Sequence, residues 1–275
     1  MKRRKIRSTH STCSTWFILT VSIRLDIIVC LDACFTQKRM RDGERGQASR
    51  VPVSHPDSFF LPREEIEEME IHVNATRAGP TTRESRAGQT TRVNDAGYVG
   101  NMKVHVSTVE ECQRSFTAAD ERRQKASTKF FADTALMALL CRHDNVLYVA
   151  NMTSAGEKQH YAIALLDRLF KDIPTTASVG VLYDISCQLH TSLEKWDFLP
   201  NYRKRMEYGV SVFHAPGHEW ACQIVYHPRK RKGFGRSDGE GCERFWWKLS
   251  PLIPNLRVSG YYIRLYTLDR QMHVM

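Results

Sequence analysis

Three acidic residues in this chain have the types and positions that a divalent-metal site requires. Asp32 follows the apolar run LDIIVCL, Asp184 follows ASVGVLY, and Glu243 lies in the segment DGEGCERFWWKL. Carboxylates at the ends of buried strands and on a nearby helix can converge at one edge of a sheet. Oxygen ligands of this kind hold Mg²⁺ or Mn²⁺, and pairs of these ions support the cleavage and transfer of phosphodiester bonds. The three residues therefore predict metal-dependent chemistry on nucleic acid.

The roles of the three carboxylates follow from a site with two metal ions, either Mg²⁺ or Mn²⁺. We expect Asp32 to bridge the ions, Asp184 to bind one of them and Glu243 to bind the other. Glu240 precedes Glu243 by three residues, and the two would share a helix face if the helix begins early enough, so Glu240 is the alternative third acid. A single acid at a strand end is more often a capping or surface residue. Three acids in mutually consistent positions favour a site.

The apolar pattern predicts the elements that would position these acids, in an α/β fold. They follow in the order strand 27–31, strand 135–141, strand 146–151, helix 156–170 and strand 179–183. Three strands, a helix and a fourth strand open an RNase-H-like fold with a mixed sheet. In that fold the first and fourth strands are parallel neighbours, which would place Asp32 beside Asp184. We also expect a fifth strand at 210–214, and a helix from about Gly241 that packs Trp246 and Trp247 against the core.

A long segment separates the first two predicted strands, and we interpret it as a partly disordered helical insertion. Residues 37–53 are polar and basic and predict a loop, after which a short acidic helix is expected. Residues from about 74 to 101 are rich in Thr, Arg and Gly without apolar periodicity, which predicts a disordered, low-complexity part. Residues 109–129 predict a further helix. The domain prediction is a basic tail at 1–15 and one incomplete core at 16–275.

The chain is basic, which favours a nucleic-acid partner. It has 40 Lys and Arg residues against 30 Asp and Glu residues, a net charge of +10 and a pI of about 9.3. The segment 227–236 concentrates this charge, and there we expect phosphate contacts from Arg229, Lys230, Arg231, Lys232 and Arg236. Phe234 is a candidate for stacking on an unpaired base, and His218 for a phosphate contact. An exposed basic loop without a ligand is the equally weighted alternative.

Cysteine and histidine side chains offer a second, less favoured metal site. The candidates lie in three short segments: His214, His218 and Cys222; Cys187 and His190; and Cys141 and His143. These side chains are zinc ligands, but their spacing matches no standard zinc module. We therefore expect packing and hydrogen bonding beside the active site, with zinc as the alternative.

The cysteine usage and the apolar runs bear on cellular location. The eight cysteines have no framework spacing, which favours a reducing, intracellular compartment over a disulfide scaffold. No segment approaches the about 18 uncharged apolar residues that a membrane-spanning helix requires, so no membrane partner is expected. The basic run at 2–5 predicts a nuclear address, with a solvated tail as the alternative.

Several segments, taken together, resemble the fungal Kyakuja-Dileera-Zisupton (KDZ) transposases. They are DIIVCLDACFTQKR, SFTAADERRQKAS, ALMALLCRHDNVLYVANMTSAGEKQHYAIALL, GVLYDISCQLH, KWDFL, SVFHAPGHEWACQIVYHPRK and GFGRSDGEGCERFWWKLSPLI, in family order. The resemblance implies an RNase-H-like DDE core, magnesium-dependent DNA cleavage and strand transfer, and transposon-end DNA as the partner. It implies Asp32 as the first acid, Asp184 as the second and a Glu of GEGCER as the third.

The chain also departs from the family pattern. Family members usually carry cysteine-rich or zinc-binding DNA-recognition regions upstream and continue beyond the LDRQ stretch, so we expect a chain truncated at both ends. Trp247 stands where the family tends to have a small polar residue. The leading hypothesis is therefore a DDE transposase core, active or decayed, which associates with copies of itself. The alternative is a DNA-binding transposase remnant without catalysis.

Overall fold

The structure of the protein is a computed structural model that describes residues 25–41, 55–79, 94, 96–124 and 130–275. The predicted basic tail at 1–15 lies outside the described residues, as does the middle of the segment predicted at 74–101. The two ends of that segment are described and structured, because the first helix extends to Ala78 and Val99 is fully buried.

A mixed sheet of five strands forms the centre of the described fold. With strands numbered in chain order, it contains β1 (Ile27–Cys34), β4 (Ala135–Cys141), β5 (Val146–Met152), β6 (Val179–Tyr183) and β7 (Met206–Gly209), arranged as β5-β4-β1-β6-β7. β4 pairs antiparallel with β1 and β5, whereas β6 pairs parallel with β1 and β7. Two short strands, β2 (Arg39–Met40) and β3 (Phe131–Asp133), form a separate ribbon. The apolar runs predicted β1, β4, β5 and β6 correctly.

The helices of the described residues flank this sheet. They are α1 (Arg63–Ala78), α2 (Val106–Gln124), α3 (Gln159–Asp172), α4 (Ser186–Trp196), α5 (Trp220–Val225), α6 (Gly241–Leu249), α7 (Ile253–Arg257) and α8 (Tyr261–His273). The sequence predicted α1, α2, α3 and α6 at these places, within a few residues. In the part of the chain that is described, no helix combines the length and the apolar character needed to cross a bilayer.

Alternate side chains of the central strands point to opposite faces of the sheet, and helices cover both faces. Val29 and Leu31 pack into one apolar cluster with residues of α1, α3 and α4, whereas Ile28 and Cys30 pack into a second with residues of α6 and α8. Burial on both faces explains why the central strands read as nearly continuous apolar runs. Asp32 is two residues after Cys30 in the same strand, so its side chain lies on the same face of the sheet and points toward α6.

The fifth strand precedes the position that the sequence predicts, since β7 ends before the predicted strand at 210–214 begins. The backbone amides of that segment bond to loops rather than to a strand. Val210 N–H donates to the Tyr226 carbonyl, and Val212 N–H donates to the Asp238 carbonyl. The apolar alternation of VSVFH is therefore not that of a strand, and this prediction was wrong.

A buried polar network fixes α8 to β5 and to the β2–β3 ribbon. The Arg264 guanidinium is fully buried and donates from Nη1 to Asn151 Oδ1 at 2.7 Å and from Nη2 to the Gln37 carbonyl at 2.7 Å. The Asp133 carboxylate lies 3.6 Å from Arg264 Nη1 and 2.5 Å from Arg39 Nε. Two guanidinium groups and three polar acceptors thus compensate one another's loss of hydration.

Arg264→Met is expected to lower the free energy of unfolding by about 3–5 kcal/mol, because it leaves two buried acceptors without their donor. Urea denaturation followed by circular dichroism measures this loss. Arg270→Met, at an exposed position of the same helix, is the matched control and should change the free energy by less than about 0.5 kcal/mol. Equal losses in the two variants would show that the network does not hold α8 in place.

Candidate active site

Asp32 and Asp184 lie side by side where two central strands end. The parallel ladder of β1 and β6 finishes with Leu31 opposite Tyr183, so the next residues, Asp32 and Asp184, occupy neighbouring positions. Asp32 is still within β1, whereas Asp184 directly follows β6. Both side chains are half-buried. The predicted adjacency of the two strands is confirmed.

A third carboxylate reaches the same place from α6. Asp32, Asp184 and Glu243 line one cleft with a volume of about 1050 Å³. Glu243 is exposed in the first turn of α6. Glu240, the alternative third acid, is not among the cleft-lining residues, and its Oε1 accepts a hydrogen bond from the Phe213 N–H at 2.8 Å. The geometry therefore favours Glu243 over Glu240 as the third acid.

The first residue of α6 allows this helix to pack closely on β1. A Cβ atom at Gly241 would lie 2.9 Å from Cys30 Sγ, so a larger residue would push the helix away. Cys242 and Trp246 are buried in the cluster between α6 and the sheet. Glu243, one residue after Cys242, is left on the side of the helix that borders the cleft.

Burial and mutual repulsion raise the pKa values of the two aspartates. Burial, followed by the charges of Asp184 and Glu243, raises the pKa of Asp32 to about 7, against a lowering contribution from Trp246. Trp246 donates its indole Nε1–H to Asp32 Oδ2 at 2.6 Å. Burial also raises the pKa of Asp184 to about 6, although a hydrogen bond from a backbone N–H lowers it. A divalent cation would therefore compete with protons for these carboxylates near neutral pH.

Asp32→Asn is expected to stabilise the metal-free protein at high pH. A carboxyl group with a raised pKa keeps its proton in the folded state, so the stability that it contributes is lost as the pH rises from about 4 to about 7. Asn keeps an acceptor for Trp246 but has no proton to lose. The free energy of unfolding of the variant should exceed that of the wild type by about 2–3 kcal/mol above about pH 7, and by little near about pH 4.

Urea denaturation across this pH range, without added Mg²⁺ or Mn²⁺, measures that difference. Glu64→Gln, which replaces an exposed acid in the first turn of α1, is the control and should show no such trend. A stability difference for Asp32→Asn that stays constant over the pH range would contradict the raised pKa.

The donor set of the cleft fits Mg²⁺ or Mn²⁺, because three carboxylates supply the hard oxygen ligands that these ions prefer. The three do not form a tight group. In the described part of the chain, the only metal-ligand side chains whose donor atoms all lie within 4.8 Å of one another are cysteines and a histidine.

Cations that sequence reasoning missed also line the cleft. They are Arg77 at the end of α1, Lys158 just before α3 and Lys195 on α4. Arg77 Nη2 donates to Ser192 Oγ at 3.0 Å, and Lys158 Nζ lies 3.2 Å from Glu70 Oε1. No pattern in the sequence distinguishes these isolated cations from other surface cations, and only the fold brings them together.

Trp247 also lines the cleft, and its side chain is 77% exposed. The prediction that it packs in the core was therefore wrong, whereas the same prediction for the buried Trp246 is confirmed. Consecutive residues of a helix point about 100° apart, so only one of two adjacent tryptophans can face the sheet. An exposed indole beside carboxylates is suited to stacking on an unpaired base.

The basic segment at 227–236 lies outside the cleft. Its exposed cations are Arg229, Lys230, Lys232 and Arg236, none of which is a cleft-lining residue. Arg231 is half-buried and forms an ion pair with Glu207 of β7. Phe234 is fully buried in the cluster on the α6 side of the sheet, so the predicted stacking on a base was wrong. The segment offers a second positive surface, separate from the carboxylates.

Four buried side chains form a cluster that could bind a metal ion such as zinc. The ligand atoms of Cys112, Cys187, His218 and Cys222 all lie within 4.8 Å of one another. The sequence suggested Cys187, His218 and Cys222 but missed Cys112, which lies on α2, far from the others along the chain. His218 is 4% exposed, and its Nε2 lies 2.7 Å from the Asp184 carbonyl oxygen. This placement gives no support to the predicted phosphate contact of His218.

The other candidate histidines lie outside this cluster. His190 stacks on Tyr208 with ring centroids 4.2 Å apart, and burial lowers its pKa to about 3. His143 is exposed in the turn after β4. His214 lines the cleft, where its Nε2 lies 3.9 Å from Glu243 Oε1. His214 is thus a neighbour of the carboxylates rather than of the cysteines.

A family model described as Kyakuja-Dileera-Zisupton transposase matches residues 25–275. The match includes every element from β1 to α8 and every residue that lines the cleft. No curated protein and no solved structure matches the chain.

Proposed function

Because the chain belongs to the Kyakuja-Dileera-Zisupton transposase family, we propose that it is the catalytic core of a DDE-type transposase. Asp32, Asp184 and Glu243 would bind two Mg²⁺ or Mn²⁺ ions, and DNA at a transposon end is the substrate. An RNase-H-like sheet is part of this proposal, and the order of elements supports it: β1, β4 and β5 are followed by α3 and by β6, which pairs parallel with β1. The segment with α1 and α2, between β1 and β4, is the insertion.

One observation carries the proposal: residues from three distant segments converge on one cleft. The parallel pairing of β1 with β6 places Asp32 beside Asp184, and α6 adds Glu243. Such convergence cannot result from proximity along the chain. Burial raises the pKa values of both aspartates, and the hydrogen bonds that their carboxylates accept do not offset it. A bound divalent cation is the natural way to neutralise them.

When bound, the ions would stabilise negative charge on the attacking and leaving oxygens of a phosphodiester. The side chains of the protein itself bind and position the DNA. Arg77, Lys158 and Lys195 attract DNA phosphates to the wall of the cleft, and Trp247 stacks on an unpaired base. The exposed cations of 227–236 extend the contact with DNA beyond the cleft. A nuclear location and self-association belong to the same proposal.

A DNA-binding remnant without catalysis is the second candidate. Two observations favour it: Trp246 already donates to one oxygen of Asp32, and the three carboxylates are not closely grouped. In that case the basic surfaces would bind DNA with a strong dependence on salt, as phosphate contacts do. The carboxylates would not bind Mn²⁺.

Two measurements on the purified chain test the proposal. Supercoiled plasmid should be nicked in the presence of Mn²⁺ or Mg²⁺ and not when divalent ions are omitted. Calorimetric titration should show about two Mn²⁺ ions per chain in a protein with an intact two-metal site. Salt-sensitive DNA binding without nicking and without Mn²⁺ binding would reject the enzyme and support the second candidate.

A further inference from the structure

We infer that Cys112, Cys187, His218 and Cys222 hold one structural zinc ion that ties the insertion to the end of β6. The four side chains come from α2, from the first turn of α4, from the loop before α5 and from α5 itself. The three cysteines are completely buried and the histidine nearly so. The sequence suggests three of these residues as zinc ligands, but not Cys112, because α2 lies far from the other three along the chain.

Three separations between the ligand atoms are those of a tetrahedral zinc site, and all of the ligand atoms lie within 4.8 Å of one another. A zinc ion with Zn–S bonds of about 2.3 Å and a Zn–N bond of about 2.0–2.1 Å holds two sulfurs about 3.8 Å apart, and a sulfur and a nitrogen about 3.6 Å apart. Cys112 Sγ lies 3.7 Å from Cys222 Sγ and 3.7 Å from His218 Nδ1. Cys187 Sγ lies 3.5 Å from the same nitrogen. The sulfurs are too far apart for a disulfide, whose S–S bond is about 2.05 Å.

Two hydrogen bonds around the cluster are those that metal-bound ligands make. His218 Nε2 lies 2.7 Å from the Asp184 carbonyl oxygen. Because a carbonyl only accepts, Nε2 carries the hydrogen of this bond, which leaves Nδ1, the nitrogen that faces the sulfurs, as the atom that would bind a metal ion. The Glu219 N–H donates to Cys112 Sγ at 3.1 Å, as backbone amides do to thiolates. Partners of this kind fix the orientation of metal ligands.

The chemistry of the donors selects zinc and a structural role. Three sulfurs and one imidazole nitrogen in tetrahedral positions suit zinc, whereas Mg²⁺ and Mn²⁺ prefer oxygen. No member of the set is more than 4% exposed, which leaves no position for water or substrate. Catalytic zinc sites keep such a position open, and structural sites close it.

The cluster is joined to the carboxylate cleft through the backbone of Asp184. Cys187 follows Asp184 by three residues in the sequence, and His218 bonds to its carbonyl oxygen. A zinc ion would therefore hold α2, α4 and α5 against the turn that presents the Asp184 carboxylate. This link to the active site rests on the proposed function, whereas zinc binding itself does not.

Elemental analysis of the full chain, purified without chelators, tests the site. We expect about one zinc ion per molecule, and Co²⁺ in its place should give the visible absorption of a tetrahedral thiolate site. Cys112→Ser and Cys222→Ser should each reduce the zinc content at least about tenfold. Cys141→Ser is the matched control, because Cys141 is half-buried and outside the cluster. Zinc removal from the wild type should lower the Tm by at least about 10 °C.

A wild-type zinc content below about 0.2 per molecule would overturn the inference, since a closed structural site retains its ion through purification. So would equal losses of zinc in Cys112→Ser and Cys141→Ser. If a cluster variant fails to fold, the zinc content and the cobalt spectrum of the wild type still decide the question. None of these measurements involves cleavage. A zinc-loaded protein that neither binds Mn²⁺ nor nicks DNA would contradict the proposed function and leave the zinc site standing.

Discussion

Asp184→Asn is expected to lower the rate of Mn²⁺-dependent DNA cleavage at least about 1000-fold, which corresponds to about 4 kcal/mol of lost transition-state stabilisation. Asn has nearly the same shape as Asp and can still accept the hydrogen bond that the Ile185 N–H donates to Asp184 Oδ1 at 2.8 Å. The substitution therefore removes the negative charge and leaves the local backbone intact. A plasmid-nicking assay under single-turnover conditions measures the effect, and circular dichroism confirms that the variant is folded.

Glu243 of α6 and Glu240, which directly precedes this helix, provide an internal control for this experiment. Glu243→Gln should lower the cleavage rate at least about 100-fold, because Glu243 lines the cleft. Glu240→Gln should stay within about threefold of the wild type, because its carboxylate bonds to the Phe213 N–H instead. The opposite order would assign the third acid to Glu240. Cleavage by Asp184→Asn at the wild-type rate would show that these carboxylates do not carry the reaction.

Cleavage at a subsaturating concentration of Mn²⁺ is expected to fall about 100-fold between about pH 7.5 and about pH 5.5. The reason is that the pKa of Asp32 is raised to about 7 and that of Asp184 to about 6, in both cases first by burial. Protons therefore compete with the metal as the pH falls through this window. Carboxylates with ordinary pKa values near about 4 would remain ionised throughout, and their affinity for metal would hardly change.

Two controls separate this effect from a change in DNA binding or in folding. DNA affinity measured without divalent ions over the same pH range should not follow the cleavage profile. Saturating Mn²⁺ should shift the fall in activity to lower pH, because a bound cation stabilises the ionised carboxylates. A profile that is flat between about pH 5.5 and about pH 7.5 would contradict metal binding at an aspartate pair with raised pKa values.

The elements that position the candidate site could be predicted from the sequence, because burial on both faces leaves a clear signature. β1 and β6 are nearly uninterrupted apolar runs, and each leads to an aspartate. The order of three strands, a helix and a fourth strand then predicts that β1 and β6 are parallel neighbours, as they are in the structure. The prediction of the fifth strand at 210–214 was wrong for a physical reason. The apolar side chains alternate there although the segment is a loop, and its backbone amides donate to the carbonyls of Tyr226 and Asp238 rather than to a neighbouring strand.

The sequence did not predict which residues on different elements lie close together. Cys112 completes the cysteine–histidine cluster, although it lies on a helix of the insertion. Phe234, in a run of cations and glycines, looks exposed, yet it fills the space beside Gly180 and Gly209. Trp247 looks like a core residue and instead faces the cleft. For Cys112 and Phe234 the decisive contact is made by a segment distant in sequence, so the local pattern does not indicate it.

The most direct measurement is anomalous diffraction from a crystal of the chain soaked in Mn²⁺. The account predicts anomalous density between the carboxylates of Asp32, Asp184 and Glu243, with none in crystals of Asp184→Asn treated in the same way. Well-ordered carboxylates without anomalous density between them, in wild-type crystals at saturating Mn²⁺, would contradict the central claim.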